Sequence, residues 1–200
     1  MGIIEHPRVV ECRGVDLKAS FVGQTKDRVN DLFEKNAGCV IVIDEVYSLY
    51  NPSVANPDAF GFEAIDTLVG NITDLRNITT IVVLAGYKDR MDTFLTANQG
   101  LGSRFGREIN FPDYSNEECV AILCRMLTGE SYIYPETEDF QEQLFELFAN
   151  IRHSERGNFG NARNVGGVFN AIKENMSKRV RAIAKPTAED FQIVLPVDIP

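Results

Sequence analysis

One short stretch constrains the fold of this chain more than any other. The apolar run Val40-Ile41-Val42-Ile43 is followed directly by two acids, Asp44 and Glu45. An apolar run without polar alternation predicts a strand that is covered on both faces, as in parallel sheets flanked by helices. Ligands bind such sheets in the crevice beyond the carboxyl ends of the strands. The two carboxylates therefore mark a candidate site, with two solvated acids at a strand end as the alternative.

The first half of the sequence alternates strand patterns with helix patterns, which predicts an α/β fold with a parallel sheet. Four strands are expected, and the two middle ones are apolar throughout, so both should be buried on two faces. Apolar residues at helical spacing predict two helices and, at 91–97, a shorter third one. The predicted apolar faces of the first two are Val29, Leu32 and Phe33, and Ala64, Ile65, Leu68, Val69 and Ile72. The strands are predicted at Arg8–Cys12, Cys39–Asp44, Thr79–Ala85 and Glu108–Phe111.

The second half carries helix patterns only. It begins with Ser115 and Glu118, which have the spacing of a capping box, in which each side chain satisfies a free backbone amide of the first turn. Apolar stripes at helical spacing follow over 140–151 and 165–183, and Pro186 ends the last of them. We therefore predict an α/β core over residues 1–113, a helical domain over 114–185 and a tail over 186–200.

Charge and composition exclude several classes of protein. The formal net charge of −9 argues against a nucleic-acid partner, because binding to phosphates depends on clustered Lys and Arg. No apolar segment reaches the ~20 residues that a membrane-spanning helix needs, and the N-terminus lacks a signal-peptide pattern. The four cysteines show no metal-type spacing. We expect a cytoplasmic protein with reduced thiols that binds neither nucleic acid nor a membrane.

Three segments carry a resemblance to a known family. Residues 40–50 resemble a Walker B strand with its following aromatic segment, and LAGYKDRM at 84–91 and FPDYS at 111–115 occur in the expected order. Over nearly its whole length the chain resembles the AAA+ ATPases of the CbbX/CfxQ, stage V sporulation protein K and EccA family. The resemblance implies a parallel-sheet AAA+ core followed by an all-α lid, with ATP and Mg²⁺ as cofactors.

The resemblance also implies roles for the acids at the strand end. Asp44 would hold Mg²⁺ through water, and Glu45 would orient or deprotonate the water that attacks the γ-phosphate. Tyr87 stands where such domains normally carry the sensor 1 asparagine. Its hydroxyl could still orient water. These three residues are the predicted catalytic side chains of the core, together with an arginine.

That arginine is expected in the segment Gly100 to Phe105, where the family pattern places an arginine finger. A guanidinium is permanently charged and planar, so it can neutralise the γ-phosphate of a neighbouring subunit. Arg104 is the candidate. Related sequences often carry a second arginine where Gly102 stands here, and Arg107 is a weaker candidate. The alternative is that Arg104 pairs with a surface acid.

Two further segments resemble parts of AAA+ rings. Asp16-Leu17 and residues 21–25 resemble the segment that holds the central-pore loop, so Phe21, with Val22 and Gly23, would grip a polypeptide. The alternative is a loop aromatic that caps the next helix. Arg163, in the run GNARN at 160–164, resembles the sensor 2 arginine of the lid, which would reach the nucleotide phosphates. The alternative is an ordinary arginine at a helix start.

One expected motif is missing from the sequence. ATP binding in this fold depends on a G-x-x-x-x-G-K-[ST] loop, whose amides cradle the phosphates, and no such run occurs in these residues. In the family's sheet order (5-1-4-3-2) the strand before that loop separates the strands predicted at 79–85 and 108–111. We expect either a fragment of a longer protein or a natural form without the loop. In the second case another chain, the N-terminal segment or the C-terminal tail at 191–195 would fill the gap.

Two functions follow from this resemblance. In the first, the whole protein assembles into a homo-oligomeric ring, expected to be hexameric, and couples ATP hydrolysis to remodelling of a protein partner, while this chain alone is inactive. In the second, the chain is a non-catalytic interaction module that docks on active relatives. A dinucleotide-binding oxidoreductase would need a glycine-rich fingerprint after its first strand, and the sequence has none.

Overall fold

The computed structural model describes residues 4–19, 21, 23–52, 58–155 and 159–200. The chain divides into two compact units, Met1–Ile109 and Asn110–Pro200. The first is an α/β unit and the second is helical, so the predicted fold class is confirmed. Within the described ranges, no helix combines the length and the apolar character that a membrane span requires.

The first unit is built on a parallel sheet of three strands in the order β1-β2-β3. The strands are β1 (Val9–Arg13), β2 (Val40–Asp44) and β3 (Ile81–Leu84). The register pairs Arg13 with Asp44 and Ile43 with Leu84. Because the strands are parallel, their carboxyl ends lie at one edge of the sheet, and Asp44 ends the central strand there.

Helices cover this sheet. They are α1 (Gln24–Lys35), α2 (Ala59–Thr73), α3 (Lys88–Leu95) and α4 (Gln99–Arg104), and 3₁₀ turns follow β1 at Gly14–Leu17 and β2 at Val46–Leu49. Ile41 and Ile43 of β2 are fully buried in the core of this unit. The core also takes one apolar face from each helix: Val29, Phe33, Ala64, Ile65, Leu68, Phe94 and Leu101.

The fourth predicted strand is wrong. Glu108–Phe111 pairs with no strand in the described part of the chain, and Ile109 and Phe111 are 71% and 86% exposed. A strand needs a neighbouring ladder, and this segment has none; Lys88 instead pairs with Glu108 at 3.0 Å. The expectation that both middle strands are buried on two faces holds for neither: in β2, Ile41 and Ile43 are buried, but Val40 and Val42 are only half-buried. On β3, Ile81 and Val83 are 36% and 42% exposed.

The second unit has its own core and packs three long helices together. They are α5 (Asn116–Gly129), α6 (Glu138–Glu155) and α7 (Ala162–Arg181). The predicted capping box is confirmed, since the Glu118 amide donates to Ser115 Oγ at 3.2 Å and the Ser115 amide to the Glu118 carboxylate at 2.7 Å. The core is apolar throughout and takes residues from all three helices: Leu123, Leu127, Phe140, Leu144, Phe148, Val165, Phe169, Ile172 and Val180.

The C-terminal segment packs within the second unit. Ile193 bridges Ile133 in parallel fashion, so the 191–195 segment does not fill a gap in the sheet of the first unit. Asp198 is 1% exposed and receives two hydrogen bonds of 2.9 Å from the Arg179 guanidinium. The amide of Leu195 also donates to this carboxylate at 2.9 Å. A buried carboxylate with three donors thus fixes the chain end against α7.

Candidate functional site

The acid pair lies where the sheet geometry predicts it. Asp44 ends β2 half-buried, and Glu45 follows it with an exposed side chain. The Glu45 backbone is left-handed, with φ of 48°, and its amide donates to Asp44 Oδ1 at 2.9 Å. A left-handed residue other than glycine is disfavoured, so this turn is held by its surroundings.

The Glu45 side chain has a partner that the sequence did not reveal. The Tyr47 hydroxyl donates to Glu45 Oε1 at 3.2 Å. The Arg90 guanidinium lies 5.0 Å from the centre of the Tyr47 ring, and the ring of Tyr87 lies 6.3 Å from it. Burial, followed by the hydrogen bond that the Tyr47 hydroxyl donates to Glu45, raises the pKa of Tyr47, and the nearby Arg90 opposes this rise only in part. The structure thus brings one predicted catalytic acid together with Tyr87 through Tyr47.

Tyr87 itself lies at the start of α3, where its carbonyl accepts the Met91 amide at 2.9 Å. Its side chain is 65% exposed, in keeping with a residue that could meet a ligand. The neighbouring Gly86 permits a close approach. A Cβ at Gly86 would lie 2.7 Å from the Tyr47 ring, so only glycine lets this ring pack against the end of β3.

The Asp44 carboxylate fits a water-mediated contact with Mg²⁺. Its Oδ1 accepts the Glu45 amide, while Oδ2 accepts no hydrogen bond from the described part of the chain. Magnesium takes oxygen ligands and usually keeps several waters, so one carboxylate is a sufficient protein contact. Arg13, in register with Asp44 on β1, is paired with Asp16 at 3.1 Å. The residues present supply no phosphate cradle.

Phe21 is 68% exposed and follows a firmly anchored segment. Lys18 Nζ donates to the Ser48 carbonyl at 2.6 Å and pairs with Asp58, the N-cap of α2, at 2.7 Å. The Ala19 amide donates to the buried Thr25 hydroxyl at 3.1 Å. These contacts hold the chain before Phe21 against the turn that follows the acid pair.

The other residues predicted in this loop are placed less fully. Gly23 is the N-cap of α1, with φ of 86°, a conformation that glycine adopts without strain. Val22 lies outside the described residues. Of these three residues, Phe21 is therefore the one whose observed structure supports a role in the loop.

The two arginine-finger candidates of the first unit, Arg104 and Arg107, make no contact with the acid pair in the described residues. Arg104 ends α4, and its guanidinium donates to the Gly100 carbonyl at 2.9 Å and to the Ser103 hydroxyl at 3.2 Å. It forms no ion pair among the described residues, so pairing with a surface acid is not observed there. No contact within the described residues joins Arg104 or Arg107 to Asp44 or Glu45. Both arginines are exposed.

Arg163 lies in the first turn of α7, exposed, with its amide donating to the Gly160 carbonyl at 2.9 Å. The residue before this helix, Asn161, has φ of 52°. Its side chain donates to Asp113 at 2.7 Å and accepts the Tyr114 amide at 2.9 Å. The FPDYS segment thus fixes the start of the helix that carries Arg163.

Sequence reasoning missed Tyr47, Arg90 and Lys18. Tyr47 and Arg90 lie inside segments that the resemblance had singled out, at 40–50 and 84–91, and Lys18 directly follows Asp16-Leu17. The contacts of Arg90 with Tyr47 and of Lys18 with Ser48 join residues far apart in the chain. Their position in or beside these segments was the one sequence signal that could have identified the three residues, because residue spacing does not predict such contacts.

Comparisons with known proteins agree with this architecture. The family described as "ATPase family associated with various cellular activities (AAA)" matches residues 4–113. The "AAA lid domain" matches residues 115–200. The two matches therefore correspond to the α/β part and the helical part of the chain.

Several curated proteins are similar to the chain. "Ribulose bisphosphate carboxylase/oxygenase activase, chloroplastic" of Cyanidioschyzon merolae is 32% identical over 97% of this chain and 64% of its own length. "Protein CfxQ" of Xanthobacter flavus is 33% identical over 90% of the chain and 55% of its own length. "Stage V sporulation protein K" of Bacillus subtilis is 39% identical over 66% of the chain and 40% of its own length. The chain thus spans less than two thirds of each of these relatives.

Proposed function

Because this chain belongs to the AAA family of ATPases, we propose that it is the Walker B and lid portion of a motor that hydrolyses ATP and remodels a protein partner. The observation that carries the proposal is the acid pair at the carboxyl end of the central parallel strand. Asp44 would hold Mg²⁺ through water, and Glu45 would act on the attacking water. When bound, the ion polarises the phosphates and neutralises developing charge.

The proposed site is incomplete within these residues. The sequence holds no phosphate-binding loop, and the residues present supply an acid pair without a cradle for the phosphates. Full activity therefore requires groups beyond this chain, which a longer protein or a neighbouring subunit would supply. The isolated chain should release no phosphate from ATP.

The remaining site residues take roles in an assembly. Arg104 has an exposed guanidinium without an acidic partner in the described residues, as a finger that acts on a neighbouring subunit needs. Arg163 would reach the nucleotide from the lid, and Tyr87 would orient water. A homo-oligomeric ring, expected to be hexameric, would bring such groups together. The four free thiols fit a cytosolic location.

The polypeptide would be gripped at Phe21. The relative from Cyanidioschyzon merolae is named as an activase of another enzyme, which favours a protein partner here as well. Support within the chain is the exposure of Phe21 beside the Lys18 anchor. The anchor also contacts Ser48, four residues after Asp44 in the sequence. Changes at the acid pair could therefore reach the loop through Lys18.

The test of this proposal is the Phe21→Ala variant of the full-length protein. We expect it to hydrolyse ATP at the wild-type rate but to lose unfolding of a fluorescent reporter that carries an unstructured tail. The physical reason is that an exposed ring supplies the grip and lies outside the site of hydrolysis.

The matched control is Phe191→Ala, which removes a ring that is 52% exposed on the second unit. This variant should unfold the reporter like the wild type. Unchanged unfolding by Phe21→Ala would contradict the pore-loop assignment, and loss in both variants would show that any exposed ring matters equally.

A further inference from the structure

We propose that Tyr47 is a positioning residue that holds the Glu45 carboxylate in place for its action on the attacking water. The inference rests on the function proposed above. Its basis is the hydrogen bond of 3.2 Å from the Tyr47 hydroxyl to Glu45 Oε1. In the described part of the chain this is the one side-chain hydrogen bond that reaches the Glu45 carboxylate.

The need for such a partner arises from the Glu45 backbone. Glu45 is exposed and has a left-handed conformation, which β2 and the following turn impose on it. A solvated glutamate has several side-chain rotamers of similar energy, whereas a general base must lie within hydrogen-bond reach of the proton it accepts. One donor at a fixed place selects among these rotamers. Tyr47 is that donor.

The place of the Tyr47 hydroxyl is fixed by burial of the residue and by two contacts of its ring. The residue is 9% exposed in the core of the first unit. On one side the ring approaches Gly86 so closely that no Cβ would fit, and on another the Arg90 guanidinium lies 5.0 Å from its centre. A cation over a tyrosine ring is attractive. The ring is thus held by α3 and the end of β3, while its hydroxyl reaches Glu45.

The protonation state suits this role. Burial and the nearby Glu45 carboxylate raise the pKa of Tyr47 above its ordinary value, so the hydroxyl keeps its proton at neutral pH. It therefore remains a donor at neutral pH, where a carboxylate is ionised. Tyr50 offers a contrast three residues later: its ring packs edge-on against Phe62, and no contact in the described residues joins it to Glu45.

The kinetic test is a double-mutant cycle in the full-length protein. Tyr47→Phe keeps the ring and removes only the hydroxyl. We expect kcat for ATP to fall about tenfold with KM unchanged, a part of the ~10²–10⁴-fold that a positioned general base contributes. In the Glu45→Gln background the same change should cause no further loss, because Tyr47 acts through Glu45.

Tyr50→Phe is the matched control and should leave kcat unchanged. An unchanged kcat in Tyr47→Phe would overturn the proposal. So would a loss of equal size in both backgrounds, since the hydroxyl would then act on something other than Glu45. An equal loss of kcat in Tyr50→Phe would show that the effect comes from local packing and not from the hydrogen bond to Glu45.

A second readout needs no turnover and uses the isolated chain. The ultraviolet titration of Tyr47 is obtained by subtracting the titration of Tyr47→Phe from that of the wild type. Glu45→Gln should move this titration to lower pH, because the charged acceptor that favours the protonated phenol is gone. No movement would overturn the Tyr47 inference alone. If the movement occurs but the full-length wild type hydrolyses no ATP, the proposed function fails while the contact stands.

Discussion

Two residues with an unusual backbone conformation lie at or next to predicted functional residues. Among the described residues, positive φ values outside glycine occur at Glu45, Ser131 and Asn161. Glu45 is one of the acids, and Asn161 begins the turn that leads to Arg163. Such conformations cost of order 1–3 kcal/mol each and persist where neighbours hold them. Here the Glu45 amide is bonded to the Asp44 carboxylate, and the Asn161 side chain is bonded to the FPDYS segment.

The acid pair could be predicted from sequence, but its surroundings could not. Asp44 and Glu45 are contiguous with an apolar run, so a reading of local pattern finds them. The contacts of Tyr47 with Gly86 and Arg90 depend on how β3 and α3 pack beside β2. That packing is a tertiary event with no local signature. The same holds for the Lys18 contacts with Ser48 and Asp58.

One testable prediction concerns the buried ion pair of Arg179 and Asp198 in the second unit. Arg179→Met removes the guanidinium that bonds the nearly inaccessible Asp198 and leaves its carboxylate without a counter-charge. We expect the free energy of unfolding of this unit to fall by about 3 kcal/mol, because an unpaired buried charge is strongly destabilising. Urea unfolding followed by circular dichroism measures the change.

The neighbouring residue provides the control for that measurement. Lys178 pairs with Glu174 at 2.9 Å, but both side chains are more than 60% exposed, at 65% and 69%. Lys178→Met should change the free energy of unfolding by less than about 0.5 kcal/mol, since exposed pairs contribute little. Equal effects of the two substitutions would show that the burial of Asp198 does not increase the contribution of its ion pair to the free energy of unfolding.

Among the elements, the position of α2 depends on a close approach between Gly61 and the Leu49 backbone. A Cβ at Gly61 would lie 2.0 Å from the Leu49 carbonyl oxygen, so only glycine lets the first turn of α2 lie against the turn that follows the acid pair. Asp58 caps the same helix end by accepting the Phe60 and Gly61 amides at 3.1 Å. This end of α2 therefore fixes the position of the 46–49 turn.

Two identical substitutions in α2 should act in opposite directions. Gly61→Ala should lower the melting temperature, because relief of the clash with Leu49 costs about 1–3 kcal/mol. At Gly70 a Cβ would meet nothing within 4 Å, so Gly70→Ala should raise it, by about 0.5–1 kcal/mol of helix stability. Scanning calorimetry of both variants gives the comparison. Shifts of the same sign would refute the close approach.

Element prediction succeeded where the signal is local and failed where it is not. The capping box of Ser115 and Glu118 fixed the start of α5, and apolar stripes located α1, α2, α6 and α7. The segment 108–111 has the composition of a strand, yet it forms none, since a strand is defined by a partner that the pattern cannot supply. The exposure of β3 has the same origin: its outer edge has no neighbouring strand among the described residues.

For the whole molecule, the division into two units separates the predicted site residues. Asp44, Glu45, Tyr87 and Arg104 lie in the first unit, and Arg163 lies in the second. Each unit has its own apolar core and its own family match. The acids are half of the proposed site. Phosphate-binding groups and a neighbouring subunit would supply the rest.

The most direct test of the central claim is ATP turnover by the full-length protein with Glu45→Gln, measured as phosphate release beside a titration of ATP affinity. We predict that turnover falls by about 10²–10⁴-fold while ATP affinity is retained, because the amide cannot accept the proton of the attacking water. The isolated chain should release no phosphate in either form. Turnover by Glu45→Gln at the wild-type rate would contradict the account.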